Sequence, residues 1–475
     1  MAQHRHVGQW WLPGRREQSV GGVLEISDPG DIRLEIAGRF FDPFSASEPH
    51  SVVHGAAAGR SITLFDVMRD NGSEYKRAAQ EETDVEVLSP AVCLFGVHLS
   101  AQDVCAFKEV VVEVTHLTTW SCRSGFGERL TVADESAGRR RKVEFELASL
   151  PSIGAEFNEA FDIEFDWGHY RRGPNSDAEA RKLMIDEIVR LRVSSGLPQQ
   201  WNGFEHVVAA VRDLVTLATQ SPCIATNRML LIHLPGRPKY PLEVRCFMRS
   251  KPVETSNFAM HDLLFGLNDI DLDDLVFKWR ELRETVGLSI HVLFGIDYHP
   301  GVYYENELLN AASAAEGLHA KLFPKSTSID PAEHKALRAS LKTMSLRAEL
   351  KQWLFDQTGH NRPGLQQRLL ELCGVPDQDA VDSLLGDREL WARWLSRARN
   401  AIAHADDGQL QRVPEEVRYR LTYVTKALLH LVLLQQIGVA AELQRSSVSD
   451  RWMYVANIFK SEVEEERTRL ARSRS

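Results

Sequence analysis

The stretch DRELWARWLSRARNAIAH, residues 387–404, decides how the C-terminal part of this chain is read. Trp391, Trp394, Leu395, Ala398 and Ile402 recur at helical spacing and define one buried stripe. The other positions carry arginines, an amide and a histidine, and Asp406, Asp407 and Gly408 follow as a turn. Arg399 and His404 are the ends of an R-x4-H pattern. At 3.6 residues per turn they lie about 140° apart, on either flank of the stripe. One straight helix does not aim both at one small target. Either the helix loosens at His404, or two copies of the motif meet across a dimer. Asn400, one turn before His404, is positioned to orient its ring.

The helical period extends to both sides of this segment. It opens near residue 273 with LDDLVFKWRELRETV and continues through YYENELLNAASAAEGLHAKLF. PAEHKALRASLKTMSLRAELKQWLF follows the loop PKSTSID, with Asp330 as N-cap and Pro331 in the first turn. GLQQRLLELC and PEEVRYRLTYVTKALLHLVLLQQIG complete the pattern, and the charged tail SEVEEERTRLARSRS is expected to fray at its end. Before residue 273 the pattern is different. VGGVLEI, DIRLEIAG, SITLFDV, VCLFGVHL, FKEVVVEVTHL and KVEFEL alternate apolar and polar residues, with turns at Asp28-Pro29-Gly30, Asn71-Gly72 and Ser124-Gly125. IVRLRVSS, LLIHLP and LEVRCFMR read as further strands, and FEHVVAAVRDLVTLATQ as an amphipathic helix. The expected fold class is α+β and multidomain. An antiparallel β-rich N-terminal domain with a few helices spans 1–295, and an all-α helical bundle spans 296–475.

Composition narrows the function. With 43% hydrophobic and 26% charged residues over 475 positions, the chain is of ordinary globular type. MAQHRHVGQWWLP holds no signal-like apolar run, and ALLHLVLLQQIGVAA is broken by His430, Gln435 and Gln436, so a cytoplasmic protein without a membrane span is expected. The six cysteines form no CxxC pair and are expected to be buried free thiols; no metal or cofactor is expected. The net charge of −10 argues against a generic nucleic-acid coat. From residue 301 onward, however, 24 Lys and Arg stand against 23 Asp and Glu, whereas the first 300 residues carry 32 against 43. The acidic excess is N-terminal, and the C-terminal part is neutral enough to accept a polyanion locally.

Other candidate motifs are weaker. HGAAAGRS, from His54, lacks the spacing and the lysine of a phosphate loop and reads as a connecting turn. His98 and His116 lie in strand-like runs with no second ligand at useful spacing. A second R-x4-H copy, Arg228 to His233, sits in the strand-like RMLLIH, where a separation of five puts the two side chains on opposite faces. It is an internal control for the helical copy.

An arginine, an amide and a histidine at a helix end suit phosphodiester cleavage. The guanidinium fork holds a phosphate and offsets its developing charge, and a histidine moves protons to or from a ribose 2′-OH or a leaving 5′-oxygen. With no carboxylate cage, a metal-independent cut of RNA fits better than DNA hydrolysis.

RNAIAH at a helix end, followed by a break and a long apolar helix, resembles the HEPN superfamily, whose usual motif is R-x4–6-H. NELLNAASAAEGLHAKLF resembles the first HEPN helix of the ApeA group, with Glu316 and His319 at matching places. VGQWWLPGRREQSVGGVLEI, GRSITLFDV and VVVEVTHLTTWSC resemble strands of the ApeA N-terminal domain. The resemblance implies an anti-phage defence protein acting by abortive infection. It further implies a C-terminal HEPN endoribonuclease restrained by a sensing N-terminal domain until a phage-derived trigger arrives. It implies a homodimer through the helical domain, RNA as substrate, 2′,3′-cyclic phosphate products, and Arg399, Asn400, His404 and Glu316 as catalytic residues. Arg393, Arg397, Arg412, Arg418 and Arg420 are candidates to line the RNA groove. A catalytically silent HEPN-fold module that binds a nucleotide or a protein is the alternative.

Overall fold

The structure is a computed structural model. It describes residues 3–472 except 28–29, 42–49, 71–84, 134–139, 177–180, 237–239, 251–252, 254–259, 300 and 302. The expected turns at Asp28-Pro29 and Asn71-Gly72 lie outside the described residues. The chain forms two compact units, one of residues 1–216 and 222–258, the other of 217–221 and 259–475. The boundary expected at 295 falls inside a helix, Leu272–Tyr298, that belongs wholly to the second unit.

The first unit is built on β1 (Gln3–Trp11), β2 (Val20–Ser27), β3 (Asp31–Ala37), β4 (His50–Ala57), β5 (Arg60–Arg69), β6 (Val85–Ser89), β7 (Val92–Phe95), β8 (Phe107–Val114), β9 (Phe126–Ala133), β10 (Arg140–Leu147), β11 (Ile153–Asn158), β12 (Phe161–Ser176), β13 (Arg181–Gln199), β14 (Ala225–Ile232) and β15 (Leu242–Met248). β9 and β10 pair alone, and the other thirteen form one sheet in the order β11-β12-β13-β8-β14-β15-β7-β5-β4-β1-β2-β3-β6. β6 also pairs with β5, which closes β5-β4-β1-β2-β3-β6 into a ring. Closure removes the free edges of this half of the sheet. Trp10, Leu24, Ile26, Leu34, Ile36, Leu64 and Val67 fill its core. Trp10 is fully buried, and a Cβ at Gly55 would meet its ring at 2.2 Å, so β4 carries glycine there. The HGAAAGRS stretch is the end of β4 and a two-residue hairpin turn. Ala58 and Gly59 both have positive φ, 48° and 71°, the mirror-image geometry that matches strand twist.

In the rest of the sheet the alternation expected from sequence holds. Val110, Val112, Leu191 and Val193 are buried, while Glu109 and Arg192 on the opposite face pair at 2.6 Å. α1 (Leu117–Trp120) is a single turn, and α2 (Glu205–Thr219) is the expected amphipathic helix. The control motif is dispersed. Arg228 holds both Glu205 oxygens at 3.0 Å, whereas His233 bonds Glu109 at 2.8 Å. His98 and His116 both fall just outside the strands, His98 against Gly55 O at 2.8 Å and His116 in a left-handed turn at φ 64°. Cys93, Cys223, Cys246 and Cys373 are buried as expected, Cys122 is half-buried, and Cys105 is exposed, against expectation.

The second unit contains α3 (Leu272–Tyr298), α4 (Tyr304–Leu322), α5 (Pro331–Thr343), α6 (Ala348–Gln357), α7 (Leu365–Cys373), α8 (Gln378–Leu385), α9 (Arg388–His404), α10 (Asp407–Leu410), α11 (Glu415–Gln436), α12 (Ala441–Ser447) and α13 (Met453–Arg472). The long helix expected from residue 331 is two helices, broken at Met344. The C-terminal tail is helical to Arg472, and its last residues, where fraying is expected, lie outside the described residues. Asp330 caps α5 as expected, accepting from the Ala332 and Glu333 amides at 2.8 and 3.2 Å. The stretch 427–434 of α11 is buried on every side, whereas its first half keeps Tyr419 and Tyr423 exposed.

His430 on α11 is fully buried and stacks on Phe294 at 6.1 Å, with Nδ1 2.8 Å from Lys426 O. Burial pushes its pKa down to about 4, with Asp297 and Lys426 as the charged neighbours acting on it. The unfolded chain, with an ordinary histidine, therefore binds the extra proton first, and this stabilisation is lost as pH falls from the unfolded toward the folded value. Between pH 7 and 5, wild type should lose about 2 kcal/mol more stability than His430→Phe. Urea-unfolding midpoints of the two proteins at both pH values check this.

Candidate active site

α9 is fixed at its start by Asp387, whose carboxylate accepts from the Leu390 amide at 2.9 Å and pairs with Arg467 at 3.0 Å. Leu390, Trp391, Trp394, Leu395, Ala398 and Ala401 are buried. Ile402 is only half-buried, so Ala401 ends the stripe in its place. The Trp391 indole donates to Thr425 Oγ1 on α11 at 3.2 Å, which fixes the rotation of α9. The helix stays regular through His404 and stops at Ala405, a left-handed residue at φ 51°, ψ 43°. It does not loosen before His404. Asp406 then caps α10, accepting from the Gln409 amide at 3.0 Å, so this aspartate serves the turn.

The two ends of the motif meet different surroundings. Arg399 Nη2 lies 2.9 Å from Glu316 Oε1 on α4, and Arg368 Nη1 on α7 lies 3.8 Å from Glu316 Oε2. One carboxylate thus faces two guanidinium groups, all three side chains being 21–30% exposed. The Arg399 contact is an ion pair rather than an aligned hydrogen bond, because Glu316 Oε1 and Arg399 Nε are buried without hydrogen-bond partners. Arg399 Nη1 donates to Asn400 Oδ1 at 3.1 Å. Asn400 therefore faces the arginine and does not orient His404, as the sequence had suggested. His404 is exposed at the helix end with no hydrogen bond or ion pair among the described residues.

One turn beyond Glu316, His319 is buried and bonds Glu371 Oε2 at 2.7 Å; Ser326 donates to the same oxygen at 2.7 Å, and Gln367 to Oε1 at 2.9 Å. Burial raises the Glu371 pKa, but the bonds from Ser326, His319 and Gln367 outweigh it and hold the carboxyl below its usual range. This cluster anchors the C-terminal part of α4, and with it Glu316. Of the arginines considered for a groove, Arg418 and Arg420 are engaged, with Val413 O at 2.9 Å and Glu462 at 3.2 Å. Arg397 and Arg412 are exposed. Arg368 was not anticipated: it is one more arginine in an ordinary amphipathic helix, and nothing in the sequence joins it to Glu316. Among the described residues no group of three or more His, Cys, Asp or Glu is arranged to hold a metal ion. Among them, too, no helix is long and apolar enough to cross a membrane.

The matched family models assign a HEPN-type helical domain, of nuclease-like class, to a chain that also carries a β-rich N-terminal domain. Residues 5–279 match the family model described as ApeA N-terminal domain 1, and residues 309–443 match the Apea-like HEPN model. The chain belongs to the ApeA family, a family of defence proteins. No curated protein and no solved structure gave a match.

Glu316 is the common partner of two cations, so its loss should exceed the loss of either one. Glu316→Gln is expected to destabilise the protein by about 1–3 kcal/mol. Arg399→Ala should cost less, because Glu316 retains Arg368. Urea unfolding of both single variants and the double variant checks this, and additive effects would mean that the pair is not coupled.

Proposed function

We propose that this protein is a metal-independent HEPN endoribonuclease, the effector of an abortive-infection defence, with Arg399 and His404 as its catalytic pair. The observation that carries the reading is the pairing of a held arginine with a free histidine at one helix end. Arg399 is fixed by Glu316 and Asn400, and His404 is exposed and unengaged five residues on. Because α9 stays regular through His404, the two side chains diverge within one chain. A homodimer that brings two α9 ends together supplies the composite site.

The chemistry follows from the groups. The ribose 2′-oxygen attacks the adjacent phosphorus as a neutral imidazole, His404 of one copy, removes its proton. The bond to the 5′-oxygen breaks, and that oxygen takes a proton from the imidazolium of His404 of the partner subunit. The products are a 2′,3′-cyclic phosphate and a 5′-hydroxyl. Arg399 bears on the phosphoryl oxygens, where charge grows in the transition state. Glu316 orients Arg399 and does not itself move a proton. The β-rich N-terminal unit acts as the sensing part that restrains the nuclease of the helical unit, which begins at residue 259, until a phage-derived trigger is bound, all within the cytoplasm.

The test is cleavage of total cellular RNA by purified protein in EDTA, with and without lysate from phage-infected cells as the source of trigger. Wild type and Arg228→Ala are expected to cut and His404→Ala to lose at least a hundredfold, in line with the loss of a general acid–base group. If wild type stays silent in every arm, or His404→Ala cuts as wild type does, the nuclease reading fails. The catalytically silent binding module then takes its place.

A further inference from the structure

Two helices of the helical unit bury almost nothing: α5 buries only Leu341, and α6 buries no residue. Helices this short are marginal on their own in water. Polar contacts within the hairpin hold them together. The Arg338 guanidinium lies 5.5 Å from the Phe355 ring centroid and donates to Thr358 O at 2.8 Å, and Lys351 Nζ donates to Lys342 O at 2.6 Å. The pair is an ordered arm rather than part of the core.

The arm has a distinctive surface. Lys335 and Lys342, seven residues apart on one face of α5, are exposed, as is Arg347 in the turn, and none of the three has an ion-pair partner among the described residues. Residues 325–362 carry seven Lys and Arg against four Asp and Glu, a balance of +3 in a chain of −10. Trp353 on α6 is 55% exposed. The base of the arm is tied to the candidate active site. Ser328 Oγ donates to Arg362 O at 2.6 Å, and Asn361 Nδ2 donates to Ile329 O at 2.8 Å. Arg368 donates to Pro363 O at 2.7 Å with its Nε, while its Nη1 faces Glu316, the carboxylate that holds Arg399.

We propose that the hairpin 331–357 is an RNA-gripping arm: Lys335, Lys342 and Arg347 hold phosphates of a single-stranded segment and Trp353 stacks on a base, beside the strand engaged at Arg399. The proposal rests on the ribonuclease reading above. Unpaired cations combined with an exposed indole fit a flexible polyanion with aromatic faces. A second copy of the arm would bring like charges together. The exposed Leu337 and Met344 are the feature that a protein partner would use instead, and the test separates the two.

The experiment uses the full chain carrying His404→Ala, so that RNA is bound without being cut. A labelled single-stranded RNA is titrated at several salt concentrations. Three further variants are built on this parent: the triple charge reversal Lys335→Glu, Lys342→Glu, Arg347→Glu; Trp353→Ala; and Leu337→Ser with Met344→Ser. Thermal melts confirm that each is folded. The charge reversal should weaken binding at least tenfold and flatten the plot of log affinity against log salt by about 2, at roughly 0.7 for each phosphate no longer held. Trp353→Ala should weaken binding by about tenfold. If the parent binds and both variants bind equally well with the same salt slope, the arm does not touch RNA, while the ribonuclease reading stands. If only the Leu337 and Met344 variant changes behaviour, by altering sedimentation mass and not RNA affinity, the arm is a protein-docking surface and the proposal is overturned. If, with lysate from phage-infected cells added, the parent binds no RNA and the unmutated chain cuts none, both readings fall together.

Discussion

Thirteen of the twenty-two residues of α11 are buried, and they lie on all its sides. Its stretch 427–434 is buried on every side, and a helix segment of that kind has to be wrapped by others. α3, α4, α9 and α13 pack against it. The few polar groups it carries then set how its neighbours dock. Thr425 takes the Trp391 indole and fixes α9, while Lys426 pairs with Asp297 and fixes the end of α3. Once the rotation of α9 is fixed, Arg399 turns toward α4 and His404 is left in solvent at the helix end. The candidate site is thus a consequence of how the core is wrapped.

Glu316 has two consequences in this arrangement. It holds Arg399 in place, and it offsets the positive charge that a phosphate would seek. A phosphate arriving at Arg399 competes with the carboxylate for the same guanidinium, and Arg368 then becomes the remaining partner of Glu316. Anchoring by His319, Ser326 and Gln367 through Glu371 keeps this part of α4 from shifting. An arginine shared in this way is held in place in the free protein, which would lower the entropy cost of the phosphate binding proposed for it.

Much of this was legible in the sequence where the information is local. The apolar stripe and the end of α9, the cap at Asp330, the amphipathic α2 and the alternating strands around Val110 and Val193 all follow from period and side-chain chemistry. The missing parts depend on partners distant in sequence. β1 reads as polar because HRHVGQ masks a strand whose buried anchor is Trp10, and that burial depends on Gly55 some forty-five residues away. Ring closure through β5 and β6 leaves no pattern in either strand. The break between α5 and α6 has no glycine or proline to mark it; it shows in contacts across the turn, Lys351 reaching back to the Lys342 carbonyl and Arg338 reaching Phe355 and Thr358. At the site, R-x4-H is local and was visible, and Glu316 was reached through family resemblance. Arg368, and the turning of Asn400 toward Arg399, needed the packing of three helices.

Everything proposed for this protein's chemistry turns on whether an arginine and a histidine on one helix end cut RNA through its own 2′-hydroxyl. The identity of the new ends decides it, read by mass spectrometry on a short RNA cut in EDTA, beside the same RNA with a single 2′-deoxy substitution at the cut site. The expected result is a 2′,3′-cyclic phosphate and a 5′-hydroxyl from the first substrate and no cut at the substituted position. Ends bearing a 5′-phosphate and a 3′-hydroxyl, or cutting at the 2′-deoxy position, would contradict it.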